Sequence, residues 1–347
     1  MKKILLGLGA CLALITNLKA QDIHNTQYFA TPLTLNPANT GLVQCDLRAA
    51  VSYRNQWSSV SPYPYTTTIA SFDMATLKGK LNNGDALGIG VTAFYDQAGT
   101  GGYTNLSIGP SIAYHKALGV EKQHTLSLGV QAVLAQKSIN FSKLTFEDQY
   151  QFGGTQINPQ TTESFPRGDL NYPDFAAGLM YSGRLNEHST AYAGFSAYHL
   201  TAPVEKFLAT GPEHKIHRRY SAYLGGAFDL NENVVLYASG LFHSQAASTE
   251  VVLGSAVGFV LNPGYDPEYQ KSTLLYIGSW YRFGDAISPY VGLSWTKMQI
   301  GLSYDVTLSN FAAATNSNGA FEVSLIFNGC INKREKEPRY NFTCPKF

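Results

Sequence analysis

Charge is the scarcest property of this chain. Asp, Glu, Lys and Arg make up 14% of its 347 residues, against about a quarter in soluble globular proteins. Cysteine, methionine and tryptophan are also few, at 4, 4 and 3 residues. Beyond the N-terminus no apolar run reaches the length of a membrane-spanning helix, which excludes a helical membrane protein. Walker A loops, G-x-S-x-G elbows and C-x-x-C pairs are missing, so neither phosphate cradling, nor elbow-type hydrolysis, nor thiol redox or zinc chemistry has a sequence basis. His199, His214 and His217 flank one loop, but no carboxylate pattern accompanies them, and they read as ordinary loop polar residues. The expectation is a protein that is not an enzyme and has no cofactor and no metal.

What is abundant points one way. Glycine (32), tyrosine (22) and phenylalanine (19), combined with few charges, fit a β-barrel in a membrane. The N-terminus carries Lys2-Lys3, an apolar core over residues 4–15 and Leu18-Lys19-Ala20, the three parts of a signal peptide over residues 1–20. A rival lipobox reading at Leu8-Gly9-Ala10-Cys11 leaves an apolar core of only about six residues, short of the usual length. Removing Lys2, Lys3 and Lys19 takes the formal charge from +1 to −2, which gives no basis for nucleic-acid binding.

The remaining chain reads as short amphipathic strands. In residues 46–57, Leu47, Ala49, Val51, Tyr53 and Trp57 share one parity, while Arg48, Ser52, Arg54 and Gln56 share the other, the period-2 signature of a strand with one apolar and one polar face. Similar alternation places strands at 65–76, 87–96, 103–116, 124–136, 174–185, 189–200, 219–230, 234–242, 248–260, 271–283, 286–295, 298–307 and 318–327. Fourteen strands, an even number, predict an all-β, antiparallel transmembrane barrel over residues 46–328. Residues 21–45 form a periplasmic or lumenal lead-in, and residues 329–347 a periplasmic tail. With both termini periplasmic, the long connections 137–173 and 201–217 fall outside, whereas the Pro- and Gly-containing stretch 261–270 falls on the periplasmic side.

The apolar parity should face lipid, with Trp57 in an outer aromatic girdle. The polar parity then faces the lumen, where Glu250, Asp305 and Glu322 need cations, and Arg48, Arg54 and Arg282 are available. Pairing the first and last strands with Arg48 level with Phe327 brings Arg54 level with Glu322, so a contact across the seam is expected. Two readings of Arg48, Arg54, Asn55 and Gln56 stay open. They satisfy one another inside the wall, or they hold the segment 21–44 folded into the lumen, with Asn36-Pro37 forming a turn.

Three cysteines follow the signal peptide. Cys45 precedes the first strand, Cys330 follows the last, and Cys344 lies in the tail, so a Cys45–Cys330 staple, a Cys330–Cys344 bridge and free thiols are all open.

Leu35-Asn36-Pro37-Ala38, Tyr53-Arg54-Asn55-Gln56-Trp57, Tyr281-Arg282, Gly301-Leu302-Ser303-Tyr304-Asp305, the stretch 319–327 and Cys344-Pro345-Lys346-Phe347 together resemble the PorP/SprF family of type IX secretion system outer-membrane proteins. The resemblance implies an outer-membrane barrel of the Bacteroidota, associated with secretion and gliding machinery and with export or anchoring of surface adhesins. Implied partners are outer-membrane lipid, machinery proteins and an exported adhesin. It supplies no catalytic residues. A passive or ligand-selective porin is the alternative.

Overall fold

Alternation of apolar and small polar side chains forces extended chain whose two faces meet different surroundings, and here it closes on itself. The structure is a computed structural model and describes residues 22–43, 45–78, 80–81, 84–150, 160–162, 168–205, 214–262 and 273–330. Residues 1–20, where a signal peptide is expected, Gln21, most of the tail with Cys344, and the connection after Asn262 lie outside the described residues.

The strands in chain order are β1 (Leu47–Gln56), β2 (Tyr65–Thr76), β3 (Ala86–Ala98), β4 (Tyr103–Leu118), β5 (His124–Ser138), β6 (Asp169–Asn186), β7 (Ser189–Tyr198), a small hairpin of β8 (Val204–Glu205) and β9 (His214–Lys215), then β10 (Arg219–Asn231), β11 (Val234–Gln245), β12 (Ser248–Asn262), β13 (Thr273–Arg282), β14 (Ala286–Trp295), β15 (Met298–Thr307) and β16 (Asn318–Gly329). All but β8 and β9 form one closed antiparallel barrel of 14 strands, each paired with its sequence neighbour and β1 closing on β16. Closure leaves no sheet edge, as a spanning β-structure requires. No described helix is long and apolar enough to cross a membrane.

The two faces separate cleanly. Val51, Tyr53, Phe321, Leu325, Phe327, Leu302 and Tyr304 are exposed on the outside, while Ala50, Ser52, Arg54, Glu322, Ser324, Ser303 and Asp305 are buried inside. Two expectations need correction. Asn55 has the outward parity and donates to the Tyr53 hydroxyl at 3.4 Å, so it takes no part in the lumen. Trp57 lies past the end of β1 in left-handed backbone (φ 62°). That break in the alternation turns the indole onto Tyr65 and Phe311 at the barrel rim, with ring centroids 5.4 and 4.9 Å away, instead of extending the row of outward residues.

The connection expected over 137–173 is shorter, because Ser138 pairs with Asp169 and Leu134 with Pro173. Pro173 reads as a loop signal in sequence, yet β6 accommodates it. The longest connections, 139–168 and 199–218, both lie at one end of the barrel, opposite Cys45 and Cys330.

The core lies inside the lumen. Tyr28, Leu35, Ala38 and Leu42 from the N-terminal segment pack against Met180, Tyr192, Tyr223, Tyr237, Trp280 and Tyr290 from the wall. Six tyrosines, Tyr28, Tyr192, Tyr223, Tyr237, Tyr276 and Tyr290, belong to this interior, while others such as Tyr53, Tyr95 and Tyr304 are exposed on the outside.

Candidate functional site

The segment 22–43 runs through the barrel from one rim to the other. Asp22 sits at the rim opposite the cysteines, where its amide donates to Gln245 Oε1 at 2.7 Å and its carboxylate meets His199 at 2.7 Å and Arg219 at 3.3 Å. The chain ends of the sheet, Leu47 and Gly329, face each other at the other rim. Asp22 is thus a full barrel length from them. Short turns built from Tyr28–Ala30, Pro32–Leu35 and Pro37–Asn39 let the segment coil within the lumen. Asn36 holds the last of these. Its Oδ1 accepts from the Ala38 amide at 2.8 Å, and its Nδ2 donates to the wall carbonyls of Leu179 and Phe195 at 3.0 and 3.2 Å.

The wall is hollowed to receive it. A β-carbon on Gly178 would lie 1.8 Å from Asn36 Oδ1, one on Gly129 2.4 Å from the Ala38 nitrogen, and one on Gly88 1.9 Å from the Thr40 carbonyl oxygen. Gly88 and Gly129 mark close approach of a second backbone, and Gly178 makes room for the Asn36 side chain.

Strand β1 supplies the electrostatic half of the docking. Arg54 lies directly across from Glu322 in the β1–β16 register and pairs with it, while its other guanidinium nitrogen reaches Asp305 at 2.9 Å. Glu322 also accepts the backbone amides of Thr26 at 2.7 Å and Gln27 at 2.8 Å. The Thr26 hydroxyl donates to Asp305 at 2.7 Å and accepts from Arg282 at 2.8 Å. Near the other rim the pattern repeats. Arg48 lies across from Asp73 on β2 and donates to it at 2.8 and 3.0 Å, and Asp73 accepts the Gly41 amide at 2.7 Å. Each arginine neutralises a buried carboxylate, and that carboxylate in turn satisfies backbone amides of the segment, as a low-dielectric interior demands. The two readings of the arginines are therefore one: they satisfy the wall and hold the segment.

Asp73 is the functional residue that sequence reasoning misses. Asp73 shares parity with Thr67, Ile69 and Ser71 on β2, but the sequence leaves the facing of that strand open, and only the structure turns this parity inward. Gln56 has the lumen parity at the end of β1. Pro37 is buried within the segment beside Gly129.

At the Asp22 rim, burial disfavours protonated His199, but the Asp22 and Asp174 carboxylates outweigh it and raise its pKa to about 9. Burial likewise opposes ionised Asp22, yet His199 and Arg219 hold its carboxyl well below the usual range. His214 and His217 line the same open cavity beside this latch. Among the described residues no group of His, Cys, Asp and Glu is arranged to hold a metal ion.

Cys45 and Cys330 form a disulfide with Cα atoms 4.8 Å apart. It ties the point where the segment leaves the lumen to the first residue after β16.

The family described as type IX secretion system membrane protein PorP/SprF matches residues 17–327. The chain belongs to this family. This PorP/SprF barrel is a secretion-related outer-membrane protein, and its shape is similar to several solved barrels. They include the Ralstonia pickettii toluene transporter TbuX, at 13% identity over 86% of this chain and 92% of that one with a TM-score of 0.45. The Pseudomonas putida toluene transporter TodX is 9% identical over 89% and 94% with a TM-score of 0.48. The CymD monoaromatic hydrocarbon channel is 11% identical over 87% and 93% with a TM-score of 0.46. No curated protein matches the chain.

Proposed function

We propose that this PorP/SprF protein is a plugged, non-catalytic scaffold of the type IX secretion machinery that supports export or surface anchoring of an adhesin-type cargo. The observation that carries the reading is the segment 22–43 threaded through the lumen, whose backbone amides are bound by Glu322 and Asp73 of the wall. A solute path through the barrel would have to displace a chain docked on buried ion pairs and on glycine-hollowed wall, so transport of small solutes is not what this interior is built for.

In this reading the disulfide end faces the periplasm, because long connections of outer-membrane barrels lie outside and short turns inside. The long connections 139–168 and 199–218 then present the cargo-facing surface, and the rim near Cys330 meets the machinery. Co-purification from detergent-solubilised outer membranes tests this directly. Machinery proteins and a large surface adhesin are expected to accompany the tagged full-length protein. Recovery of the barrel alone, with secretion intact in a deletion strain and solute uptake lost, would favour the porin reading instead.

A further inference from the structure

The upper lumen is only partly filled. A cavity of about 740 Å3 opens at the rim opposite the disulfide, between the N-terminal segment, the inner faces of β2 to β7, the β8–β9 hairpin and the rim ends of β10 and β11. Four acidic side chains line it: Asp22, Asp96, Asp174 and Glu205. Asp22 pairs with His199 and Arg219, Asp174 with His199, and Glu205 with Lys137. Asp96 is different. It is 5% exposed, its carboxylate accepts from the Thr67 hydroxyl at 2.7 Å, and among the described residues no cation pairs with it.

Its surroundings are set by the strand register. Thr67 and Asn105 lie directly across from Asp96 on its two neighbours. Two residues away, on the same lumen parity, stand Tyr65 on β2, Tyr103 on β4 and Phe94 on β3 itself, and all three line the cavity. Diagonal neighbours at this spacing, about 7 Å apart, are within reach of aromatic side chains. A carboxylate withdrawn from water without a counter-charge is costly, and aromatic faces attract cations. One carboxylate, one amide and one hydroxyl are too few for calcium, which takes 6 to 8 oxygen ligands, and the cavity is of ordinary small-ligand size.

We propose that Asp96, framed by Tyr65, Phe94 and Tyr103, is the anchor of a receptor site for an organic cation, an ammonium or guanidinium group that enters from the open rim. The group can come from a free polyamine or from a lysine or arginine side chain of a polypeptide. The site stands on the cavity alone and does not depend on the secretion role proposed above.

Titration calorimetry on the full-length protein in detergent tests it, with spermidine, an acetylated and amidated Gly-Arg-Gly peptide, and the same peptide with citrulline for arginine as probes. At least one cationic probe is expected to bind saturably, the citrulline peptide not at all, and Asp96→Asn should weaken binding by about tenfold or more, the equivalent of one charge-assisted hydrogen bond. Spermidine binding assigns a free amine, and peptide binding assigns a side chain. If Asp96→Asn fails to fold, Tyr65→Leu at the exposed rim is expected to weaken the same binding severalfold. No saturable binding of either cation, equal binding of the citrulline peptide, or undiminished binding by the variants would overturn the site.

Discussion

Glu322 serves the wall and the segment at once: it meets Arg54 across the seam and accepts two amides of the N-terminal segment. Glu322→Gln keeps the shape but leaves the guanidinium of Arg54, itself 2% exposed, with Asp305 alone, a carboxylate it shares with Arg282. Breaking a buried pair in this way costs about 3–5 kcal/mol, so the variant is expected to unfold at markedly lower temperature or denaturant when followed by heat-modifiable gel mobility. At the other rim the latch is pH-sensitive. His199 has a folded pKa of about 9, above the unfolded value of about 6.5. Its contribution is therefore fully present below about pH 6.5 and is lost as the pH rises through about 9. Asp22, held low, adds stability that is lost only in acid. Protease protection of residues 22–30 is expected to fall between pH 7 and 10 in the native protein, and His199→Gln should abolish that step. Unchanged protection through pH 10 would contradict the latch. The legibility of these residues was uneven. Arg54 and Glu322 could be paired from parity and register alone. Asp73 was missed because β2 is mostly Thr, Ala and Ser and does not announce its inner face. The Asp22 latch joins residues more than 170 positions apart, and no local pattern encodes it.

At the level of elements, the segment 22–43 and strand β1 act as one unit. Arg48 and Arg54 each bind a neighbouring strand's carboxylate, and each of those carboxylates binds the segment. The disulfide then fixes the hinge between the segment and β1 to the end of β16. Mass mapping of non-reduced peptides is expected to recover a Cys45–Cys330 linked pair, and Cys45→Ser should cost about 2–4 kcal/mol of stability, the usual range for a native bridge. Strand positions were legible because lipid on one face and a polar interior on the other enforce alternation. Their ends were less so, since Trp57 in left-handed backbone and Pro173 inside β6 each depart from the local signal. The wall glycines read in sequence as a small inner face, but nothing short of the structure shows that Gly88 and Gly129 are spaces for another backbone and Gly178 a space for the Asn36 side chain. Gly178→Val retains a good strand former and leaves no room for Asn36. The barrel is expected to fold with residues 22–43 expelled and open to protease.

The whole molecule is a closed membrane barrel whose lumen is threaded by its own N-terminal segment. Tyrosines, buried ion pairs and glycine hollows on the inner wall all serve that occupancy. A secretion partner of this construction works by what its two ends bind and not by what passes through it. Single-channel conductance in planar bilayers separates these directly. The intact protein should give no steady conductance, whereas Gly178→Val, with the segment expelled, should conduct in large steady steps. A large steady conductance from the intact protein would contradict the plugged scaffold.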